Sequence, residues 1–427
     1  MSDQRWIRIV PVAAVMYTIA FIGRTNISLA LPAISRDLHI TPTQAGSIAG
    51  IFFWGYIILQ VPGGHIAERW SAKWFVTTLL VAWGFFGVLC GMSRTWRELW
   101  AMRFFLGLAQ SGMYPATLIL LSHWFPKTER ARANACFSLA VPVALIISSP
   151  LSGWILDRWN WRVMLIAEGV LPFVWLVVWI WGIRDYPRDA PWISQSDQAY
   201  LDSVESGNNI EIEASATESY VSSLLSRKAL ALCCIQFFVL SGQLGYLFWL
   251  PSAIGKASYL NNTSIGLLLI VPYSIGGISL FLNSWHSDKQ RERRGHVAMP
   301  LALGGTFLIT GVLMSNYAPK IAFLLISLAA VGAFAPLGPF WTLPTELFSK
   351  RMAGSVTGMV NAVGHMGGYF GPLLVGYLTR RTGKFEYGFA TLAGIMLLGS
   401  LWALVLLRPG IKFQVPFETV PSPSKLP

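Results

Sequence analysis

Residues 21–32, "FIGRTNISLALP", belong to an apolar run that extends from Val10 to Leu31 and contains one charged side chain, Arg24. A run of about 20 apolar residues is long enough to cross the hydrocarbon core of a bilayer as a helix. A guanidinium in such a helix stays charged and loses its hydration, so it is costly unless it faces a partner or a solute pathway. The stretch therefore predicts a membrane helix that contains a functional charge.

Apolar runs of this length recur along the whole chain. Of its 427 residues, 54% are hydrophobic and only 12% are charged, whereas about 25% are charged in a typical soluble domain. We predict twelve spans, at 6–30, 45–66, 74–92, 98–121, 134–156, 163–183, 229–251, 264–284, 297–315, 320–342, 353–378 and 387–407. No small-residue cleavage site follows the first run, so we expect an uncleaved helix rather than a signal peptide. The fold class is an all-α membrane protein with twelve transmembrane helices.

The net charge of +12 is explained by the orientation of these helices in the membrane. With the N-terminus in the cytoplasm, 20 of the 32 Lys and Arg residues fall in inner segments and ten in outer loops, and Arg24 and Arg103 lie within spans. This excess predicts cytoplasmic termini and a plasma-membrane protein, most simply in a bacterial inner membrane. We expect no nucleic-acid partner. The four cysteines lack metal-ligand spacing, so we expect no metal and no cofactor.

A polar segment at 185–228 divides the spans into six and six. It contains eight acidic residues, starts a short amphipathic helix near Ser194, and continues as the flexible stretch "GNNIEIEASATESY" (207–220). The two halves resemble each other, as in "SPLSGWILDR" (149–158) and "GPLLVGYLTR" (371–380). We therefore predict four parts, which are a half at 1–184, a cytoplasmic linker at 185–228, a half at 229–407 and a cytoplasmic tail at 408–427. Duplicated halves predict a solute site at mid-depth, where they meet.

Several motifs resemble one transporter family. The loop "PGGHIAERWSAK" (62–73) resembles the signature G-x-x-x-D-R-x-G-x-[RK] of the major facilitator superfamily, with Glu68 for the Asp and Ser71 for the second Gly. The stretches "YIILQVPGG" (56–64), "RFFLGLAQSGMYPA" (103–116) and "NAVGHMGGYFGPLLVG" (361–376) resemble its anion:cation symporter branch, which includes phthalate, tartrate and sugar-acid permeases. The resemblance covers nearly the whole chain and implies two pseudo-symmetric six-helix halves and alternating access.

The two intramembrane arginines are the strongest candidates for an anion site, because guanidinium groups bind carboxylates through paired hydrogen bonds. Each could instead bond helix carbonyls and hold the bundle together. The other candidates are polar side chains. Some share a predicted helix face with an intramembrane arginine, and the others line the second half. The predicted substrate-binding residues are Arg24, Tyr56, Gln60, Arg103, Gln110, Gln243, Tyr246 and Asn361.

The driving force is predicted from two missing acids. The family resemblance implies carboxylates for proton carriage at the positions of Gly23 and Gln110, neither of which titrates. His365 and Glu168 remain as candidate proton carriers. His365 could instead be a packing residue, and Glu168 is expected to pair with Arg162 near the outer edge. We therefore expect weak or absent proton coupling.

Charged residues in two corresponding loops are predicted to gate the cytoplasmic side. They are Glu68, Arg69 and Lys73 after the second span, and Asp288 and Lys289 after the eighth. In the superfamily that these loops resemble, charged residues at cytoplasmic helix ends latch the two halves together. We expect them to control turnover and not to contact the substrate.

The leading function is a secondary active transporter that takes up a small organic anion, alone or with a proton or another ion. We expect a lipid-embedded monomer. Alternatives are an exporter or exchanger, a carrier of an aromatic or vitamin-like solute, and a non-transporting sensor built on a carrier fold. An enzyme is not expected, because the spans contain no paired carboxylates, metal cluster or nucleophile–base set.

Overall fold

The computed structural model describes residues 4–138, 140–193, 198, 224–257, 260–348 and 350–407. The predicted linker helix near Ser194 and the tail at 408–427 lie outside these ranges. Within them the regular structure is helical, with one 3₁₀ turn at Pro187–Asp189. The α-helices are α1 Gln4–Thr25, α2 Ile27–Asp37, α3 Pro42–Ile58, α4 Gln60–Arg69, α5 Ala72–Met92, α6 Trp96–Ser111, α7 Met113–Trp124, α8 Lys127–Ser138, α9 Ala140–Arg158, α10 Trp161–Gly182, α11 Arg227–Ala257, α12 Asn262–Gln290, α13 Arg294–Met314, α14 Pro319–Leu328, α15 Ala330–Phe334, α16 Leu337–Leu347, α17 Lys350–Thr382 and α18 Phe385–Leu406.

The predicted spans are present. Ten described segments are long and apolar enough to cross a membrane, and the pair α3–α4, bent by 47°, makes an eleventh. The 33-residue helix α17 occupies the remaining position, where the eleventh span was predicted. Some spans consist of two helices, such as α1 and α2, which are separated at Asn26. The prediction of an all-α, twelve-span membrane fold is confirmed.

The starts of five helices follow directly from local sequence. A polar side chain precedes the first turn and accepts a hydrogen bond from the backbone N–H three residues later. This contact satisfies one of the N–H groups that a helix start leaves without an intrahelical partner. The capping residues are Thr41, Ser71, Thr95, Asn160 and Asn261. These caps fix the residues at which the five helices begin.

The helices form two bundles, α1–α10 and α11–α18. In the first, α5 packs against α6 and α10, and α1 packs against α9 and α10. In the second, α11 packs against α17 and α18, and α13 packs against α18. The bundles meet mainly along α3 with α17 and α9 with α12. We call the end where α2 finishes and α3 begins the distal end, and the end where α1 begins the terminal end.

Two glycines allow the bundles to touch at the distal end. A Cβ on Gly46 would lie 2.4 Å from the Pro372 carbonyl oxygen, and a Cβ on Gly266 would lie 2.3 Å from that of Ser149. Both distances are far below van der Waals contact, so a residue with a side chain does not fit unless the helices separate. Glycine at these positions thus permits close helix packing of the kind found in membrane bundles.

The described hydrogen bonds between the bundles lie at the distal end or at mid-depth. Asp157 accepts hydrogen bonds from the backbone N–H of Asn262 (3.0 Å) and of Thr263 (2.7 Å) at the distal end. Asn361 donates its amide to Gln60 Oε1 (2.9 Å) at mid-depth. Together with the glycine contacts, these bonds show a conformation that is closed at the distal end.

We predict that Gly266→Ala opens the distal end. The new methyl group overlaps the Ser149 carbonyl, and overpacking of this kind costs about 1–3 kcal/mol. The overlap exists only when the distal end is closed, so the substitution destabilises that conformation. Spin labels on cysteines replacing the exposed Arg158 and Arg381, one on each bundle, should then shift to longer distances. Gly354→Ala is the control, because a Cβ there meets no heavy atom within 4 Å. Equal distance distributions in Gly266→Ala and the parent would contradict the prediction.

Candidate functional site

Arg24, in the last turn of α1, is buried among aromatic rings. Its side chain is 5% exposed, and its Cζ lies 4.4 Å from the ring centroid of Tyr56, 5.2 Å from Phe21 and 5.4 Å from Phe52. These contacts are cation–π interactions, which partly compensate for lost hydration. The Nε atom has no hydrogen-bond partner among the described residues. The aromatic cage (Phe21, Phe52 and Tyr56) thus surrounds the charge and leaves Nε without a hydrogen bond.

More rings continue this aromatic surface along α1. Tyr17 lies 6.4 Å from Phe21, 5.5 Å from Tyr114 and 4.8 Å from Phe137, measured between centroids. Tyr17 is also in electrostatic contact with Arg24. Arg24 therefore stands at one end of a wall that combines π faces with phenol hydroxyls.

A polar bridge joins the two bundles next to the cage. The ring of His365 on α17 lies 4.9 Å from that of Tyr56 on α3. His365 Nδ1 lies 2.8 Å from the Asn361 carbonyl oxygen. Because a carbonyl oxygen can only accept, Nδ1 carries the hydrogen atom and donates this hydrogen bond. Asn361 in turn donates to Gln60, whose own amide donates to the Ser111 carbonyl (3.2 Å). Four of the predicted residues, Tyr56, Gln60, Asn361 and His365, are thus brought together.

Arg103 is oriented differently from Arg24. It is 1% exposed, and its two terminal nitrogens donate to the carbonyls of Gly23 and Arg24, each at 3.1 Å. These carbonyls lie at the break between α1 and α2, where the regular hydrogen-bond ladder is interrupted. Arg103 therefore positions the helix that presents Arg24. Substrate contact by Arg103 stays a prediction.

The described contacts of three other candidates lie within their own bundles. With its amide oriented to satisfy both of its atoms, Gln110 accepts a hydrogen bond from Trp83 Nε1 (2.9 Å). Tyr246 donates its hydroxyl to the Ile326 carbonyl (2.9 Å), and Gln243 is buried on the same helix, α11. Substrate roles for these three residues stay predictions.

Glu168 is enclosed within the first bundle. Its carboxylate accepts hydrogen bonds from the Asn26 amide and from Ser152 Oγ, the latter at 2.6 Å. The expected pair with Arg162 is wrong, because Arg162 forms its salt bridge with Asp37 at the distal rim. Asn26 is the residue between α1 and α2, so Glu168 is linked to the helix break next to Arg24.

The first predicted gating loop is tied to its own bundle. Glu68 and Arg69 are exposed, whereas Lys73 is buried. Asp185, which follows α10, accepts hydrogen bonds from the Lys73 backbone N–H (2.8 Å) and from Ser71 Oγ (2.5 Å). This carboxylate fixes the start of α5.

The second predicted gating loop is held in a similar way. Arg293 forms salt bridges with Asp288 (2.6 Å) and Glu346 (2.9 Å), and the Lys289 ammonium lies 5.5 Å from the ring centroid of Trp285. Burial alone would lower the pKa of Arg293, but these two carboxylates outweigh it and raise the pKa. The described ion pairs of this loop are internal to the second bundle, so a latch between the two loops stays a prediction.

The fold and the site define a membrane carrier, in which two helical bundles enclose a caged charge at mid-depth. The profile of the Major Facilitator Superfamily matches residues 13–372, and the chain belongs to this family. It is a transport protein and not an enzyme. The predicted family resemblance is confirmed.

Known relatives and structures agree with this assignment. The chain is 30% identical over 412 residues to an Agrobacterium vitis protein named for tartrate transport, covering 94% of this chain and 93% of the relative. It is 27% identical over 408 residues to a quinolone resistance transporter of Acinetobacter baumannii, covering 93% of this chain and 92% of the relative. The crystal structure of a D-xylose-proton symporter has the same fold, with a TM-score of 0.76 at 15% identity over 96% of this chain and 99% of that one.

Two features of the site were missed at the sequence level. The stacking of Phe52 on Arg24 follows from its four-residue spacing to Tyr56, which places both rings on one face of α3 and was an available signal. The bonds from Asn26 and Ser152 to Glu168 had no such signal, because the three residues come from three separate spans.

We predict that Arg103→Leu lowers the thermal midpoint of the purified protein more than Arg24→Leu does. The Arg103 substitution leaves two buried carbonyls without their donors, at about 1–3 kcal/mol for each unsatisfied group. The Arg24 substitution is the matched control, since it removes a buried charge that has no described bond to a carbonyl. An equal or larger loss of stability in Arg24→Leu would contradict the assigned positioning role of Arg103.

Proposed function

We propose that the protein is a secondary active transporter that carries a small organic anion by alternating access. The observation that carries this proposal is Arg24, a buried guanidinium that has no salt bridge among the described residues and, unlike Arg103, no described hydrogen bond to a backbone carbonyl. A carboxylate matches the fork of an Arg and neutralises its charge. Tartrate, for which the Agrobacterium vitis relative is named, is a dicarboxylate and supports this substrate class.

The proposed orientation rests on the excess of Lys and Arg at the terminal end, which favours cytoplasmic termini. The membrane is the plasma membrane, and bacterial relatives favour a bacterial inner membrane. In this orientation the distal end faces outward, and the described conformation is closed outside. The direction that we propose is uptake.

Alternating access needs two rigid bodies and a place where they pivot. We assign 1–184 and 229–407 as the bodies, 185–228 as the linker and 408–427 as the tail. The bond from Asn361 to Gln60 connects the bodies beside Arg24, where a bound anion would bias their relative tilt. The charged loops, including Glu68 and Asp288, gate the cytoplasmic side. The unit is a monomer in contact with lipid.

A second candidate is a carrier or exporter of an aromatic acid. The aromatic wall that runs from Tyr17 to Phe52 provides stacking surfaces next to the guanidinium. The Acinetobacter baumannii relative is named for quinolone resistance. In both candidate functions Arg24 binds the acidic group of the solute. They differ in whether the rest of the solute is small or aromatic.

We predict that Arg24→Gln weakens anion binding and uptake by at least about tenfold while expression stays normal. Loss of a hydrogen bond to a charged group costs roughly 1.5–3 kcal/mol, or about a tenfold to hundredfold loss of affinity. Arg24→Lys should restore binding only in part, because a point charge replaces a fork. The measurements are the thermal shift of the purified protein with tartrate and with benzoate, and uptake of labelled acid into proteoliposomes.

The control for this experiment is Arg8→Gln, which removes an exposed Arg from the terminal end of the same helix. Normal uptake by Arg24→Gln would refute the anion site. A thermal shift without uptake by the parent protein would favour the sensor alternative. A shift with benzoate and none with tartrate would select the aromatic candidate.

We further propose that coupling to protons is weak or absent. Arg24 has no described carboxylate partner, and Glu168 accepts its described bonds inside its own bundle. A carrier of this kind moves its anion by facilitated diffusion, by exchange or with another ion.

We predict little acidification inside proteoliposomes when the anion enters at zero membrane potential, as measured with a trapped pH dye. Stoichiometric acidification would contradict weak coupling. Its loss in His365→Gln alone would identify His365 as the proton carrier, and its loss in Glu168→Gln alone would identify Glu168. Acidification that survives both substitutions would exclude both candidates.

A further inference from the structure

We propose that a pocket at the distal end is a second carboxylate-binding site, separate from Arg24. The pocket has a volume of about 450 Å³ and lies between α2, the end of α11 and the starts of α12 and α18. Both bundles line it, through residues that include Leu29, Arg36, Trp249, Lys256 and Phe385. Ligand sites for small molecules typically have volumes of about 300–1,000 Å³.

The pocket carries positive charge. Arg36 and Lys256 line it, and no acidic residue does. Arg36 donates through Nε to the Pro32 carbonyl of its own helix (3.4 Å), and Lys256 donates to the Gly383 carbonyl (2.7 Å). Neither cation has a salt bridge among the described residues. Glu386, in the first turn of α18, is not among the lining residues.

Two other acids near the pocket, Asp37 and Asp157, have described partners of their own. Asp37 follows Arg36 but forms its salt bridge with Arg162. Asp157 bonds the pocket residue Asn262, and its two oxygens accept four hydrogen bonds from Asn262 and Thr263. Asp37 is therefore neutralised by Arg162, whereas Asp157 keeps its charge and is held by neutral donors. Because two cations and no carboxylate line the pocket itself, its lining favours an anion.

The apolar and aromatic residues that line the pocket indicate which kind of anion fits it. Leu29 and Trp249 face the pocket from the two bundles, and the Phe385 ring lies 5.4 Å from the Lys256 ammonium. A carboxylate at the two cations would place its carbon body against these apolar and aromatic groups. The chemistry therefore fits a carboxylate with an apolar or aromatic body, and it fits a small fully hydrated anion less well.

The pocket is next to the contact that closes the distal end. Trp249 lines it and donates its indole N–H to the Pro372 carbonyl (2.8 Å), and Pro372 packs against Gly46 of the other bundle. An anion in the pocket is therefore held on the distal side of this contact while the cage around Arg24 is closed to that side. The location of the pocket does not depend on the proposed function. The proposed orientation decides only whether the distal end faces the outside of the cell.

The test measures the local charge and the occupancy of the pocket in an Arg24→Gln background. Leu260 lines the pocket and is 45% exposed, so Leu260→Cys provides a reporter once the native cysteines are replaced. Its modification rates with an anionic and a cationic methanethiosulfonate are compared at low salt. Arg36→Gln combined with Lys256→Gln should lower the anionic-to-cationic rate ratio by roughly tenfold. Benzoate should slow modification at Leu260→Cys, and acetate should do so less.

Arg381→Gln is the matched control, because Arg381 is an exposed distal cation outside the pocket. The proposal is supported if the ratio falls only in the Arg36 and Lys256 double variant and if that variant also loses protection by benzoate. It is overturned if the ratio is unchanged or if benzoate gives no protection in the Arg24→Gln background. Because the reporter carries Arg24→Gln, failure here is independent of whether Arg24 binds a substrate.

Discussion

The burial of the Arg24 charge without a carboxylate is the constraint on which the rest of the structure depends. Desolvation of a charged group costs several kcal/mol even after relaxation, whereas a cation–π contact returns about 0.5–2 kcal/mol. The aromatic cage alone therefore leaves the charge only partly stabilised. We propose that an anion entering the site supplies the missing interaction.

Hydrogen bonds in the first bundle fix the position of the helix segment that contains Arg24. Arg103 does this by donating to the two carbonyls at the break between α1 and α2, one of which belongs to Arg24 itself. On the other side of the break, Asn26 is bonded to the buried Glu168. The first bundle thus has a polar core that fixes the position of α1, while the second bundle contributes hydrogen-bonding groups such as Asn361.

The two bundles meet through short-range contacts at the distal end and a side-chain bond near the middle. Glycines at the distal end bring backbone against backbone, and the contact includes hydrogen bonds to Asp157. Such contacts are short-ranged, so a small tilt breaks them together, which suits a structure with two discrete arrangements. Near the middle, one side-chain bond joins Gln60 to Asn361, and it lies beside the residue that we assign to the anion.

Local patterns were enough to predict the spans, the two halves and the family, because membrane-length apolar runs and loop motifs are properties of contiguous residues. They were also enough to single out Arg24, since a charge within an apolar run is visible without a fold. The partners of buried polar groups were not visible in this way. Arg103 and Arg24 look alike in sequence and both lie over the Phe52 ring, yet among the described hydrogen bonds only Arg103 donates to backbone carbonyls. Likewise, Arg162 pairs with Asp37 and not with Glu168. These differences are decided by which helix faces meet, and that depends on the packing of residues far apart in the chain.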